Sequence, residues 1–397
     1  MKKILIIGAG FLQSFVIQKA KKMGYETIAV DANPNSVGFG YADKYKVIDI
    51  VDEKACLAFA QKENIDGVLT AATDYGVLTA SYIARELGLP GLNYEVARLI
   101  KNKYRVRRCL YENYTDDAEQ AYEVDRDTDI SALAKRIVFP VMVKPCDGSG
   151  SRGTSRVDAA GALEQACHFA MDSSASQRAI VETFVVGKEY GAESIVVNGE
   201  VHVLGIMKKW MTAPPYYAEL GHAMPSDLPK AVEEKAKRCV ASAIKALGIN
   251  FGSVNMDMII TDDGAIHIVD VGARMGGNMI GPCVVPYGTG VDYMANMICA
   301  AVGDKVDFSV CEYGAVATRL LAFGDGVVKQ LPDIEKIEKE YDVEIYHHLE
   351  VGQTIREYHT NLDGCGYIIA KAADLETAIA KADKVLSLFK KVIFSVG

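Results

Sequence analysis

Asp257 and Asp270 stand on either side of an Asp263-Gly264 pair in the stretch FGSVNMDMIITDDGAIHIVDVGARMGG, residues 251–277. Asp-Gly between two alternating apolar runs is a strong signal for a hairpin with a two-residue turn. In that register Asp262 faces Ala265, and Asp257 lies opposite Asp270. Carboxylates so placed are about 4.5–5.5 Å apart at Cβ, and like charges there are destabilising. A shared cation removes the penalty, and an all-oxygen pair suits Mg2+ or Mn2+ bridging substrate phosphates. The competing expectation is a three-residue loop, which slips the register and leaves both acids exposed. Arg274 follows at once in GARMGGN. There a guanidinium can clamp a transferring phosphoryl group, and the glycines let a ligand approach the backbone.

A second stretch, VKPCDGSGSRGTSRV (143–157), puts Lys144 at the end of a strand and a Gly/Ser loop after it. In a P-loop the lysine follows the glycines. Here Asp147–Thr154 can instead fold over phosphates and offer backbone N–H groups; the plain alternative is a flexible turn. In IVETFVVGKEYGAES (180–194), Glu182 and Glu189 flank an apolar linker. Such a linker can offer backbone groups to a purine edge and carboxylates to an amino group and ribose, although alone these are two ordinary surface glutamates. The segment 211–229, with four of the eleven prolines, reads as a loop carrying Glu219 and His222. It exceeds the roughly 12–15 residues beyond which structureless loops are usually functional or disordered. GAGFLQ, with Asp31 further on, has the outline of a dinucleotide turn, but Gln13 replaces its third glycine. The expected use is a tight turn, with a nicotinamide-dependent oxidoreductase as the alternative. His347, His348 and His359 lack metal-ligand spacing and are expected to be structural or exposed.

The elements that must carry these residues fall into groups. Residues 1–97 alternate apolar strands and helices, the pattern of a parallel sheet covered on both faces. One helix is expected over 94–113, then a small α+β unit over about 115–185. Longer strands follow, with an amphipathic helix over 230–247 and the acidic hairpin. Residues 311–397 read as a smaller α+β unit closed by a helix starting at Asp374. A chain of 397 residues, half of them hydrophobic, is too long for one ordinary core. Its net charge of −9 argues against nucleic acid and anionic membrane surfaces. Nine cysteines, an odd number without CxxC spacing, fit a reducing compartment. The first residues hold lysines and an apolar run, but Gln13 and Ser14 interrupt it and no cleavage pattern follows. No run of eighteen apolar residues occurs. The expectation is a soluble, cytoplasmic protein with small-molecule partners.

Taken in order, these pieces resemble the ATP-grasp superfamily, which includes D-alanine–D-alanine ligase, biotin carboxylase and the L-amino-acid ligases. The resemblance implies an α/β and α+β chain: a Rossmann-like domain (1–97), an ATP-grasp domain of two β-rich subdomains (98–310, lid about 115–185) and a small C-terminal subdomain (311–397). By the same resemblance Lys103 and Lys144 hold ATP phosphates, and Ser149, Gly150 and Ser151 cover them. Glu182 and the Val185 backbone take the adenine, and Glu189 the ribose. Asp257 and Asp270 bind Mg2+ (or Mn2+). Arg274 stabilises an acyl phosphate and Lys209 assists at the substrate end, where Glu219, His222 and Asn278 bind substrate. The sequence departs from the pattern where a glutamate is usually followed two residues on by asparagine: it has Asp270 and Gly272, and Asn278 is the expected compensation. The implied activity is an ATP-dependent carboxylate–amine ligase working through an acyl phosphate and releasing ADP and phosphate. The alternatives are a carboxylase of the same fold, making carboxyphosphate from bicarbonate, and a nucleotide-binding protein without catalysis. A homodimer is the default assembly.

Overall fold

The computed structural model describes residues 1–113, 115–117, 120–148, 152–214 and 216–393, with only the backbone of 391–393. Four parallel strands open the chain: β1 (Lys3–Ile7), β2 (Glu26–Asp31), β3 (Lys44–Val47) and β4 (Gly67–Thr70), ordered β3-β2-β1-β4. Ile4 and Ile6 enter one apolar cluster while Leu5 and Ile7 enter another. That alternation is why β1 is apolar throughout: successive side chains point to opposite faces, and helices cover both.

The helix expected over 94–113 is two helices, Tyr94–Ile100 and Lys103–Glu112. Asn102 divides them by accepting a hydrogen bond from Arg105 N, the capping role in which asparagine is strongly preferred. The second helix therefore begins at Lys103.

Next comes an antiparallel sheet, β5 (Ala121–Val124), β6 (Val141–Pro145), β7 (Ser155–Val157) and β8 (Ala179–Thr183), ordered β5-β8-β6-β7. β6 alternates strictly. Val141 and Val143 pack with the helix Leu163–Asp172, while Met142 and Lys144 face a cavity. Ser149, Gly150 and Ser151 lie outside the described residues.

The third sheet has eight strands: β9 (Lys188–Val197), β10 (Glu200–Met211), β11 (Glu219–Met224), β12 (Gly252–Ile260), β13 (Ile266–Gly272), β14 (Ala315–Leu320), β16 (Val343–His347) and β18 (Gly366–Ala372). Its order is β13-β12-β9-β10-β11-β14-β18-β16, so strands from beyond residue 311 continue the ladder begun at β9. The short β15 (Gly326–Val327) and β17 (Thr354–Ile355) pair separately. The segment read as a loop over 211–229 is largely a hairpin, because β11 pairs with β10 on one side and β14 on the other. Pro214 and Pro225 lie just outside the ladder, where a missing N–H costs nothing.

The acidic hairpin corrects the expected turn. Thr261, not Asp262, faces Ala265, and Thr261 N donates to Ala265 O at 3.0 Å. The loop therefore has three residues, with Gly264 at φ +82°; Thr261 Oγ1 holds it wide by accepting from Ala265 N at 3.0 Å. Ile260 pairs with Ile266, Ile259 with His267 and Met258 with Ile268, and then the register shifts. Val269 is an extra residue, a β-bulge, and beyond it Asp257 pairs with Asp270 and Asn255 with Gly272. Two irregularities cancel, and the two aspartates are paired across the strands. β13 is an edge strand, and its free polar groups are covered: Asp117 and Asp116 carboxylates accept from Ile266 N and Ile268 N, at 3.0 and 3.1 Å. All nine cysteines are free, and no described helix is long and apolar enough to cross a membrane.

Candidate active site

A cavity of about 1560 Å³ lies among the loops after β1 and β4, the inner face of the β5–β8 sheet and one face of the eight-stranded sheet. It is lined by every described candidate residue except His222.

One end is rich in cations. Lys103 Nζ is paired with Asp270 Oδ1. Lys144 Nζ lies 2.6 Å from Glu182 Oε1, and Arg107 Nε 3.3 Å from Glu182 Oε2. Burial pushes the Glu182 carboxyl up, but Lys144 and Arg107 outweigh it and hold the group below its ordinary range. Asp270 follows the same pattern: burial raises it, and Lys103, Lys144 and Arg274 together bring it below the ordinary value. Both oxygens of Glu182 are thus engaged with cations, while Val185, Met142, Ile259 and Val269 line the cavity.

The other end gathers carboxylates around one lysine. Lys209 Nζ lies 2.7 Å from Asp257 Oδ1, 2.8 Å from Glu219 Oε1 and 3.1 Å from Glu189 Oε1. It reaches Asp257 from β10 by crossing β9 at Gly191, where even a Cβ would stand 3.6 Å from Lys209 Cδ and 3.1 Å from Met207 Cε. Burial lowers the lysine, but its three carboxylates raise it well above the ordinary value. Burial pushes Asp257 up to about 6; Lys209 opposes this, while Glu219 and Glu189 add to it. Glu219 is pushed up by burial, yet Lys209 and His222 hold it well below the usual range. Asn278 Nδ2 donates to Glu219, and Tyr367 OH to Asn278 Oδ1 at 3.4 Å. His222, the cross-strand partner of Lys209, sits behind Glu219 with Nε2 3.8 Å from its carboxylate, off the cavity wall.

Arg274 is held from two sides. Its Nε and Nη2 lie 2.9 and 3.1 Å from the two oxygens of Asp74, and Nη1 donates to Asn255 Oδ1 at 3.3 Å. Asn255 Nδ2 in turn donates to Glu193 Oε1 at 2.7 Å, which also accepts from Gly276 N at 3.0 Å. Tyr293 OH lies 2.6 Å from Glu193 Oε2. Burial pushes this fully enclosed carboxyl up to about 8 despite those partners.

Residues 137–282 match the ATP-grasp domain, and residues 319–393 match the L-amino acid ligase C-terminal domain 2. The chain carries an ATP-grasp domain. Over 406 residues it is 23% identical to the formate-dependent phosphoribosylglycinamide formyltransferase of Sulfurisphaera tokodaii, covering 98% of this chain and 96% of that one. Its fold is similar to a phosphoribosylglycinamide synthetase from Anaerococcus prevotii, with a TM-score of 0.77, 25% identity and coverage of 100% and 99%. It is also similar to an L-amino acid ligase from Bacillus licheniformis, with a TM-score of 0.84, 20% identity and 98% of each chain.

An ATP-grasp site must accept phosphates and a cation. Lys103 and Lys144 supply fixed positive charge on the cavity wall. Asp257 and Asp270 supply oxygen-only ligands side by side, and Mg2+ commonly takes one or two carboxylates with the rest from phosphates and water. No cluster of three or more histidine, cysteine or acidic ligands exists among the described residues. The turn after β1 is filled by a side chain. A Cβ at Gly10 would lie 2.9 Å from Gln13 Oε1, while Gln13 Nε2 donates to Ala71 O.

Four residues that line or brace this cavity escaped the sequence reading. Asp74 follows β4, at the strand end where open α/β sheets hold ligands, and that position was its available signal. Asn255 shares a strand face with Asp257 by the two-residue alternation. Glu193 is a charge inside the apolar run YGAESIVV. Arg107, within the basic YRVRR, offers no signal.

Proposed function

We propose that the chain is an ATP-dependent carboxylate–amine ligase that forms an amide or peptide-like bond. The observation that carries this reading is one cleft with two chemical ends: lysines suited to phosphates at one, and Glu219 with Asn278 suited to an amine substrate at the other. The ATP phosphates rest on Lys103 and Lys144, the adenine against the Val185 backbone and its apolar surroundings, and the ribose on Glu189. Glu182 acts mainly by orienting Lys144. Asp257 and Asp270 would hold Mg2+, which would supply neutralisation of phosphate charge. A substrate carboxylate oxygen attacks the γ-phosphorus, and ADP leaves. The amine then attacks the acyl carbon, and inorganic phosphate leaves with the carboxylate oxygen. Arg274 is positioned to stabilise charge developing on that group; its planar fork suits a phosphoryl oxygen pair better than an ammonium does. Glu219, held ionised by Lys209, suits binding the amine rather than taking its proton.

In this reading 1–97 forms one wall, 98–310 the nucleotide site with a lid over about 115–185, and 311–397 the remaining wall, tied to the second unit through the shared sheet. A bicarbonate-using carboxylase would need little room beyond ATP, whereas Glu219, Asn278 and Asn361 give the cavity a further polar end. The test is a panel of carboxylates and amines scored for ADP release, then the best acid labelled with oxygen-18. Label is expected in the released phosphate. Unlabelled phosphate would exclude the acyl phosphate route.

A further inference from the structure

We propose that this enzyme works with one divalent cation per active site, because the guanidinium of Arg274 fills the place beside Asp270 that Gly272 leaves open. The inference rests on the ligase reading and adds what that reading leaves undefined: how many metal ions accompany the nucleotide.

Gly272 sits two residues after Asp270 on β13, directly opposite Asn255 of β12. A Cβ built on Gly272 would stand 3.0 Å from Arg274 Cζ, 3.1 Å from Nη1 and 3.2 Å from Nη2. The guanidinium therefore lies against the glycine, in the space a side chain at 272 would enter. It is fixed there by Asp74 on one side and Asn255 on the other. Burial works against its charge, but Asp74, Glu193 and Asp270 outweigh that effect, and arginine is not deprotonated in proteins. A permanent cation thus already flanks Asp270.

The oxygens that a second dication would need are engaged. Asn255 Oδ1 accepts from Arg274, and its amide cannot turn over because Nδ2 donates to Glu193 Oε1. Asn278 is at the carboxylate-rich end, donating to Glu219 and accepting from Tyr367. Two carboxylates remain for metal, Asp257 and Asp270, and they face each other. One shared cation satisfies both; a second would be placed against a guanidinium of the same sign. Arg274 and the single cation then divide between them the neutralisation of the phosphates.

Counting bound Mn2+ by electron paramagnetic resonance on the full chain, with a non-hydrolysable ATP analogue and nucleotide-only controls, tests this. One Mn2+ per chain without spin–spin coupling is expected. Two would overturn the inference and leave the ligase reading intact. No bound Mn2+ together with no ATP-dependent phosphate release would overturn both. Gly272→Ala tests the seat of the arginine: its methyl meets only the far end of a flexible side chain, so the protein should fold. It should keep one Mn2+ and its KM for ATP, while kcat falls at least about tenfold as the guanidinium loses a placement used mainly in the transition state. An unchanged kcat in the folded variant would refute the role given to Gly272.

Discussion

Asp257 and Asp270 are the same residue type, paired across two neighbouring strands, and their surroundings drive them in opposite directions. Asp270 is held below the ordinary carboxylate range and Asp257 is raised to about 6. Exposure contributes, since the Asp257 side chain is 22% exposed and that of Asp270 44%. Supply of cations differs as well. Asp270 has Lys103 for itself, with Lys144 and Arg274 nearby, whereas Asp257 shares Lys209 with Glu189 and Glu219. One ammonium cannot hold three half-buried carboxylates at their lowest energy. The site is therefore short of positive charge at Asp257, whereas around Asp270 each carboxylate has a cation of its own. In the proposed function, a metal nucleotide would bring cation to the first and phosphate to the second.

The largest effect should come from the well-supplied side. Asp270→Asn is expected to abolish ATP-dependent phosphate release while circular dichroism shows a folded protein; substantial turnover would remove Asp270 from the metal pair. Next is Lys209→Met, which leaves three carboxylates uncompensated. Breaking a buried ion pair by removing one partner typically costs about 3–5 kcal/mol, measurable by urea unfolding. Lys103→Met should cost clearly less, because Lys144 and Arg274 still face Asp270, and equal costs would break the comparison.

Glu193→Gln probes a third buried carboxyl, one with no lysine. Its value of about 8 lies above the ordinary 4.5, so the native state keeps a proton that the unfolded chain has lost. The stability Glu193 contributes is complete below about pH 4.5 and declines as pH rises toward 8. Glutamine mimics the protonated form. The variant should match the wild type near pH 5 and exceed it by about 3 kcal/mol near pH 8, one pKa unit being worth about 1.4 kcal/mol. Parallel urea curves at the two pH values check this, and an equal difference at both would show that Glu193 does not hold its proton. The smallest effect is expected for Glu189→Ala. Losing a charged hydrogen-bond partner of the ribose costs about 1.5–3 kcal/mol, read as a higher KM for ATP with the acceptor KM nearly unchanged. An unaltered ATP KM would place the ribose elsewhere.

Local features were legible in the sequence. The apolar residues before it placed Lys144 at a strand end, the hairpin signal put Asp257 and Asp270 on neighbouring strands although their pairing depends on the Val269 bulge, and the repeated strand–helix pattern announced the parallel sheet. What escaped depends on contacts between distant segments. Asp74 and Arg274 are 200 positions apart, and nothing local in either says that they meet. The crossing of Lys209 over Gly191 requires knowing that β9 lies between β10 and β12. The wide turn at 262–264 escaped for a different reason: the Asp-Gly signal is shared by two- and three-residue loops, and the choice fell to hydrogen bonds from Thr261.

The Val269 bulge divides the acidic hairpin into two short ladders in different registers. On its other edge β12 pairs with β9 without a break from Gly252 to Ile260. The frame for Asp257 is therefore the interior of the sheet, and the tip of the hairpin is an overhang. Insertions among residues 261–265 should be absorbed there, because they leave the β12–β9 ladder untouched. Deletion of Val269 is a different kind of event. It would remove the extra residue and leave Ile268 opposite Met258 and Asp270 opposite Asp257 as consecutive pairs, so a loss of three nucleotides at that codon would keep the two acids paired and cost only the local bend and twist that a bulge gives its strand.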